Sequence, residues 1–598
     1  MENQDSSTQK ETDSQEYRKK EFLASTERDN WEQVGFHRAL GGFFHNIVIG
    51  IGSAVIGILF VGFLTGLLYP FPEIQGYNKI ANGFFFIIIY QIFDFGTAYG
   101  IQRFIAEYRI KDPKRMIKYV QFFIWYQMLT GLIQVTFISL VVIYMIRTSE
   151  YAYLTWLFLI ICQKQWPGML GTFGAVLEGM QLYNRTNVLK FISSDVIQNI
   201  TNVVFILIGR YLGGQNPMIG ELMGAAMGTA LGMYVDDFFG MAIAMKYLGK
   251  VLQPFGYRVR DLWAIGFDKK VVKDCLWFGL QVSIVPIIDS IIGVNMLLLY
   301  LKGLPQYTSY VAIRDIASGV VGIVNLGTYG TTPLIAESYM NKKTKLASFY
   351  ITSSIRWNGF LMWMMVAILI AFLPMVFQII LELPELSNYI SAQAFLIPLL
   401  IHQLFRPFID FPNGILIGTE RVSFYTFIRV SEEFLQLFFV WLFLFGLKLQ
   451  LVWGFFGVVF ILSFEHFFPR IIKMIACWVY IKKKLFPIHI NWYQTLIGPL
   501  FVSVFVYLFG LLYYNTVFKT LLPVLGILPT AAVSLLFGLT MIPFLIYLPL
   551  TGFFGLWDDF SLKTFEKAVS ISGPSKFLAT IFYKSTKWGV SHSPWHNK

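Results

Sequence analysis

Charged residues are scarce in this sequence, and their scarcity limits the class of protein it can encode. Only 14% of its 598 residues are Asp, Glu, Lys or Arg, whereas 56% are hydrophobic. A soluble protein carries roughly 25% charged residues, and a single soluble core stops growing near roughly 250–300 residues. An apolar excess with a mean hydropathy of +0.59 is therefore typical of a protein whose exterior faces lipid.

Cysteine is also rare. Cys162, Cys275 and Cys477 are far apart, and each lies in or beside an apolar run. Because no CxxC or Cys/His spacing accompanies them, they form no disulfide framework or metal site, and we interpret them as small buried residues. The sequence also lacks Walker A, GxSxG and HExxH patterns, so nothing in it indicates an enzyme or a bound cofactor.

Apolar stretches of about 20 residues, the length that crosses a bilayer, alternate with short polar loops. They predict an all-α integral membrane protein with about fourteen transmembrane helices. The predicted spans are residues 46–69, 80–101, 119–146, 152–179, 191–211, 217–244, 274–300, 306–335, 350–380, 389–417, 423–446, 452–480, 494–515 and 522–549.

The distribution of basic residues predicts the topology. The net charge of +12 is spread over many short loops, which suits a membrane protein better than a nucleic-acid-binding one. With a cytoplasmic N-terminus, most of the 47 Lys and Arg fall in the tails, the inner loops and the adjoining ends of spans, and three remain deeper inside spans: Lys164, Arg314 and Arg406. Both termini are therefore expected on the cytoplasmic side of the plasma membrane.

The longest predicted inner loop divides the chain into two sets of spans. We expect a disordered cytoplasmic tail (1–40), an N-lobe (41–245, spans 1–6), a linker (246–273), a pseudo-symmetric C-lobe (274–485, spans 7–12), a helix pair (486–550) and a cytoplasmic tail (551–598). Two helical lobes joined by such a linker are a common transporter arrangement.

Ionised side chains inside spans need an explanation, because each costs at least about 2.5–3.5 kcal/mol at the bilayer centre. Lys164 lies in the fourth span beside Gln163 and just before Pro167-Gly168, where the helix should open. We interpret Lys164 either as a cation that faces a water-filled cavity and holds an anionic group, or as the partner of a carboxylate on a neighbouring helix.

The tenth span carries His402, Arg406 and Asp410 at intervals of four residues, on one helix face. This stripe either lines a cavity, where Arg406 suits a phosphate, or contains an internal Arg406–Asp410 pair. Arg314, next to Asp315 in the eighth span, has the same two readings: it lines the cavity or forms a structural pair.

Carboxylates inside spans are candidate sites for a coupling Na⁺ or H⁺. Asp289 lies near the middle of the seventh span, close to Asn295. Its alternative role is a salt bridge to Arg314 or Arg406. The other candidates for ion coupling are Asp236, Asp237 and Asp410.

Three segments resemble the polysaccharide-exporter branch, the Wzx-like flippases, of the multidrug/oligosaccharidyl-lipid/polysaccharide flippase superfamily. They are FDFGTAYGIQRFIAEYRIKDPKR (93–115), LEGMQLYNRTNVLKF (177–191) and PLIAESYMNKK (333–343). The resemblance implies two lobes around a cationic cavity, and a final helix pair beside which a lipid tail can lie. It also implies translocation of a lipid-linked oligosaccharide, on a polyprenyl phosphate or diphosphate, by alternating access. We expect a monomer whose partners are that substrate and membrane lipid.

Two other functions compete with this interpretation. A multidrug/cation antiporter of the same superfamily typically has twelve spans and an acidic cavity. A membrane glycosyltransferase needs paired acidic residues in an outer loop, but the first outer loop offers only Glu73.

Overall fold

The computed structural model describes residues 65–83, 112–180, 183–322, 343–382, 384–419, 421–488, 490–570 and 572–596, with single residues among 50–108 and 324–339. Within these ranges the secondary structure is helical and contains no strand, which confirms the all-α class. The predicted tail 1–40, most of the first two spans and much of the segments 93–115 and 333–343 lie outside the described residues.

The described residues form two compact units. The first unit includes residues 73–298, and the second includes residues 65–72 and 299–596. The division falls within one helix, Lys269–Gly303. The predicted lobe boundaries at 245 and 274 stay a prediction.

Eight α-helices of the described chain precede residue 253. The first belongs to the second unit, and the other seven belong to the first unit. They are α1 (Thr65–Leu68), α2 (Glu73–Ala81), α3 (Pro113–Tyr144), α4 (Thr155–Cys162), α5 (Met169–Gly179), α6 (Tyr183–Lys190), α7 (Gln198–Gln215) and α8 (Gly220–Leu252). Helix α9 (Lys269–Gly303) follows and runs from the first unit into the second.

The remaining helices belong to the second unit. They are α10 (Tyr307–Gly322), α11 (Thr344–Glu382), α12 (Gln393–Gly418), α13 (Val422–Trp441), α14 (Leu449–Val452), α15 (Phe455–Phe464), α16 (Phe467–Lys484), α17 (Gly498–Tyr513), α18 (Lys519–Leu525), α19 (Ile527–Ile542), α20 (Leu548–Phe553), α21 (Asp559–Ser570) and α22 (Lys576–Ser591).

Eight helical segments of the described chain are long and apolar enough to cross a membrane. They are Pro113–Thr148, Val188–Gln215, Ser283–Gly303, Thr344–Ile379, Asn388–Gly418, Phe455–Lys484, Tyr493–Leu525 and Ile527–Phe553. Each overlaps a span predicted from the sequence. The total of fourteen spans and the cytoplasmic placement of both termini stay predictions.

The predicted linker 246–273 is an ordered part of the first unit. It contains the end of α8, two tight helical turns and the start of α9. Side chains of α3 hold it: the amide nitrogen of Gln121 donates to the Asp261 carbonyl oxygen at 2.7 Å, and Trp125 donates to the Trp263 carbonyl oxygen at 3.0 Å. Lys118 and the exposed Asp268 are 3.3 Å apart. A backbone hydrogen bond from Val271 and then Lys118 lower the pKa of Asp268.

The predicted tail 551–598 is folded as the helices α21 and α22. Trp557, just before α21, is buried and stacks on Phe565 of α21 at 5.4 Å between ring centroids. The edge of Trp557 also packs against Trp357 of α11 at 5.1 Å. Beside these rings, Arg356 and Asp558 form an ion pair of 2.7 Å. The C-terminal helices are therefore docked on the second unit.

The Arg356–Asp558 pair predicts a dependence of stability on pH. Burial alone would raise the pKa of Asp558, but the charge of Arg356 and hydrogen bonds from Arg356 and Ser561 outweigh it, so the pKa lies below its usual value. The carboxylate therefore stabilises the fold above its ordinary pKa of about 3.9, and this contribution is lost as pH falls through the lower pKa of the folded state.

We expect Asp558→Asn to remove part of the fall in unfolding free energy between about pH 5 and pH 3. The difference should be at most about 1 kcal/mol, because Asp558 is 41% exposed and solvent screens the pair. Denaturant titrations of the detergent-solubilised protein measure it, and Arg356→Gln should flatten the same part of the profile. An unchanged pH profile in both variants would contradict this role.

Candidate functional site

The helix break predicted in the fourth span is confirmed. Helix α4 ends at Cys162, and a tight turn spans Gln163–Gln165. The backbone then passes through Gly168, whose φ of +63° suits glycine, before α5 begins. The turn lies close to α3, because a Cβ atom on Gly131 would collide with the carbonyl oxygen of Gln165. Close packing against α3 thus fixes the position of Lys164.

Lys164 lines a cavity of about 690 Å³ within the first unit, the first cavity. Its Nζ atom is 3.9 Å from Oδ2 of Asp237 on α8, and both side chains are partly exposed. Lys164 therefore faces a cavity and is also paired with a carboxylate on another helix, and its binding of an anionic group stays a prediction. The other polar lining residues are Lys79, Asn82, Gln127, Gln165 and Tyr234.

Two other predicted residues of this region lie away from the cavity lining. Gln163 is exposed on the turn, and its amide nitrogen is 3.4 Å from the Leu159 carbonyl oxygen. Asp236 is buried, and its Oδ1 atom has no hydrogen-bond partner among the described residues. Asp289, in α9, is half-buried and lines neither this cavity nor the one described next.

The second unit contains a cavity of about 510 Å³, the second cavity, between helices α10, α12, α13, α15 and α16. Five basic side chains and two carboxylates of the described chain line it. The basic residues are Arg314, Arg406, Arg429, Arg470 and Lys473, and the acidic ones are Asp410 and Glu432. The cavity therefore brings together four of the predicted residues, Arg314, His402, Arg406 and Asp410.

Glu432 organises one wall of the second cavity. Its side chain is 2% exposed and accepts contacts from Arg429 at 2.6 Å and Lys473 at 2.7 Å, with Arg470 at 3.7 Å. Arg429 also contacts Glu433, which is buried as well, at 2.6 Å. Helix α13 supplies both acids and Arg429, whereas α16 supplies Arg470 and Lys473. The contacts of Glu432 with Arg470 and Lys473 therefore join α13 to α16.

Arg314 on α10 reaches a second buried carboxylate. Its guanidinium is 3.4 Å from Asp315 and 3.6 Å from Glu465, which is almost fully buried. Glu465 is also 3.2 Å from Nε2 of His466. Arg314 therefore both forms a structural pair and lines the cavity, and the two readings from the sequence coexist.

The polar stripe of α12 faces the second cavity, as one of its two interpretations predicted. Arg406 and Asp410 are 3.2 Å apart, so the internal pair is present too. The ring of His402 packs on Phe467 at 4.7 Å between centroids. Its Nε2 atom is buried without a hydrogen-bond partner in the described part of the chain.

Basic groups outnumber acidic ones in the lining of the second cavity, five to two. Arg406 and Arg470 are each 45% exposed and Asp410 is 58% exposed, whereas Glu432, Glu433 and Glu465 are at most 4% exposed. Most of these carboxylates are therefore buried, and Asp410 is the exposed one. A cavity of one charge sign with low-dielectric walls concentrates ligands of the opposite charge.

Arg429, Arg470 and Lys473 are the functional candidates that the sequence interpretation missed. All three fall near the cytoplasmic ends of the predicted spans 423–446 and 452–480 and were not singled out there, whereas the structure places them in helices α13 and α16, where they line the second cavity. The spacing of Arg429, Glu432 and Glu433 at three and four residues signals helical ion pairs and would have drawn attention to this face.

Comparison with known proteins locates the fold. No protein-family model matches the chain, and no curated protein matches it in sequence. Among solved structures, a MOP-superfamily transporter from Pyrococcus furiosus, described as having a binding pocket of reversed polarity that suggests a different function, has a TM-score of 0.50 at 16% identity. The likeness covers 75% of this chain and 98% of that one.

Two further structures are multidrug resistance transporters of the MATE family in the same superfamily. The inward-facing one has a TM-score of 0.47 at 16% identity, over 75% of this chain and 96% of that chain. The outward-facing one has a TM-score of 0.43 at 16% identity, over 75% and 94%. This chain is a multi-pass membrane protein with the fold of MOP-superfamily transporters.

Proposed function

We propose that the protein is a flippase that moves a lipid-linked oligosaccharide, on a polyprenyl phosphate or diphosphate, across the plasma membrane by alternating access. The lining of the second cavity carries the proposal, since basic groups dominate it while most acids lie behind. Arg side chains bind phosphate oxygens through two parallel hydrogen bonds. Arg406 and Arg470, the most exposed of the five, would contact the phosphate first.

The first cavity complements this role. Beside Lys164 its polar lining is mainly amide and hydroxyl groups, which exchange hydrogen bonds with sugar hydroxyls. An aqueous polar path avoids the cost of moving sugar and phosphate through hydrocarbon, while the prenyl tail stays in lipid. Substrate binding by Lys164, Arg314, His402 and Arg406 remains part of the proposal, as does a contact from Gln163, which is exposed on the turn outside the cavity lining.

The membrane potential would drive export of such a substrate. With a negative interior, each net negative charge carried outward gains about 2.3 kcal/mol per 100 mV. A coupling Na⁺ or H⁺ at Asp236, Asp237, Asp289 or Asp410 would then serve to reset the cycle.

The alternative is a cation-coupled multidrug antiporter, and one observation favours it. Asp237 presents a carboxylate to the first cavity with Lys164 at 3.9 Å, and an acidic group there could bind a cationic drug. The two MATE-family structures named above are multidrug resistance transporters. The Pyrococcus furiosus transporter, which has a similar fold, is described as having a binding pocket of reversed polarity that suggests a different function.

A matched pair of variants tests the sign of the substrate. Arg406→Gln removes one positive charge from the second cavity, and Asp410→Asn removes the negative charge that pairs with it. In proteoliposomes containing a lipid-linked oligosaccharide, we expect Arg406→Gln to slow transbilayer movement at least about tenfold, because a hydrogen bond to a charged group contributes roughly 1.5–3 kcal/mol. Asp410→Asn should keep or raise the rate of a single outward movement, which does not require a coupling ion to reset the cycle.

Exchange of organic cations in place of lipid movement would support the antiporter. If the wild-type protein moves no lipid-linked oligosaccharide but exchanges small organic cations, the flippase proposal fails. If both variants lose movement equally, the loss reflects the Arg406–Asp410 pair rather than the charge of the cavity. Lys164→Gln, assayed beside them, reports whether the first cavity also takes part.

A further inference from the structure

The exposed face of α22 combines aromatic and basic side chains. Phe577 is 78% exposed and Trp588 is 61% exposed. Lys576, Lys584 and Lys587 are exposed on the same helix, on the same face at 3.6 residues per turn. The helix sequence, KFLATIFYKSTKWGVS, contains no Asp or Glu, so its exposed face carries positive charge without compensation from its own helix.

The opposite face of α22 packs against the end of the last candidate span, Ile527–Phe553. The Ser585 hydroxyl donates to the Phe544 carbonyl oxygen, and the Ser593 hydroxyl donates to the Phe553 carbonyl oxygen at 2.5 Å. A Cβ atom on Gly589 would collide with the carbonyl oxygen of Pro549. Helix α22 is thus fixed beside the last turns of this candidate span.

Two other features mark this place as a membrane boundary. The Tyr493 hydroxyl donates to the Phe554 carbonyl oxygen at 2.8 Å, so the start of the span Tyr493–Leu525 lies beside the end of Ile527–Phe553. Trp492, just before that start, is exposed, and Trp and Tyr are enriched at membrane interfaces. Helix α16 ends nearby in the chain with Lys482-Lys483-Lys484, a basic run typical of the cytoplasmic side.

We propose that the exposed face of α22 binds the anionic headgroups of the cytoplasmic leaflet. Its lysines would contact lipid phosphates while Phe577 and Trp588 enter the headgroup region, the arrangement of an interfacial amphipathic helix. Charge favours lipid over a second copy of the chain, because an isologous contact would set two identical basic faces against each other. The neighbouring helix α21 lacks this bias, since its exposed Lys563 and Lys567 accompany Asp559 and Glu566.

Hydrogen exchange of the full-length protein in nanodiscs tests the proposal. Discs of phosphatidylcholine alone are compared with discs that also contain phosphatidylglycerol, and exchange is followed in peptides covering residues 576–591. We expect exchange to be at least about fivefold slower in the anionic discs, the factor expected for one lysine at an anionic surface. Added salt should reduce the difference by screening.

A matched pair of double variants assigns the effect. Lys584→Gln with Lys587→Gln should abolish most of the difference, whereas Lys563→Gln with Lys567→Gln, the same change of charge on α21, should leave it. Equal exchange of the wild-type peptides in both kinds of disc overturns the proposal. Protection of residues 576–591 in neutral lipid that appears only with two copies of the protein per disc also overturns it. If Lys584→Gln with Lys587→Gln unfolds α22 in both lipids, the salt dependence of the wild-type protein tests the proposal instead. Protection of the wild-type peptides in anionic discs that added salt does not reduce overturns the proposal.

Discussion

Replacing Glu432 with Gln is expected to lower the free energy of unfolding by about 3–5 kcal/mol, the range for removing one partner of a buried ion pair. Glu432 is 2% exposed, and Nζ of Lys473, on a side chain that is 4% exposed, lies 2.7 Å away. Arg429 contributes a second contact of 2.6 Å. The substitution would leave these cations in a low-dielectric environment without the charge that balances them.

Chemical or thermal unfolding in detergent measures the loss, and two variants control it. Adding Lys473→Met to Glu432→Gln should restore part of the stability, because replacing both charges of a buried pair is far less costly than replacing one. Asp410→Asn breaks the exposed pair with Arg406, and we expect it to cost no more than about 1 kcal/mol. A loss for Glu432→Gln no larger than that of Asp410→Asn would show that the network does not hold α13 and α16 together.

The same network links stability to the proposed function. Glu432 holds Arg429 and Lys473, and it lies 3.7 Å from Arg470, so it sets the positions of three of the five basic groups that line the second cavity. The buried acids balance Arg429 and Lys473, whose side chains are 23% and 4% exposed, while bases still outnumber acids in the lining. A substrate phosphate would therefore meet bases whose positions are already fixed, which lowers the cost of ordering them on binding.

Local sequence patterns predicted the parts of the site that depend on neighbours along the chain. Pro167-Gly168 after a polar triplet predicted the break between α4 and α5, because proline removes a helical hydrogen bond and glycine adopts positive φ. The spacing of Arg406 and Asp410 by four residues likewise predicted their shared face and offered their pairing as one of two interpretations.

The parts that depend on tertiary contacts were beyond these patterns. Arg470 and Lys473 lie near the basic end of α16, so a sequence count cannot separate them from Lys482-Lys483-Lys484, whereas the fold turns them toward Glu432 on α13. The pairing of Lys164 with Asp237 also crosses between distant helices. Hydropathy alone reports that a charge is present in a helix, but not which helix faces it.

The folded C-terminus was missed for a different reason. The buried face of α22 is built largely from small and weakly polar residues, such as Ala579, Ser585 and Gly589. Such residues allow close helix packing but produce no long apolar run, and hydropathy therefore assigns the segment to a polar tail.

Close helix packing by small residues also underlies the second large effect that we expect, at the contact between α7 and α8. A Cβ atom on Gly209 would collide with the carbonyl oxygen of Gly224, and one on Gly224 would collide with that of Gly209. The obstacle is backbone in both cases, so no side chain can rotate away. Gly209→Ala is therefore expected to cost about 3 kcal/mol, the upper end of the range for overpacking.

Gly214→Ala, in the same helix, provides the matched control. A Cβ atom there meets nothing within 4 Å, so the same substitution should stabilise the helix by about 0.5–1 kcal/mol through its higher helix propensity. The two alanine variants should thus shift the unfolding midpoint in opposite directions in one detergent. Equal shifts would mean that α7 and α8 are not in backbone contact. The predicted difference in sign would show that their glycines set the helix spacing and with it the position of Asp237, on α8, opposite Lys164.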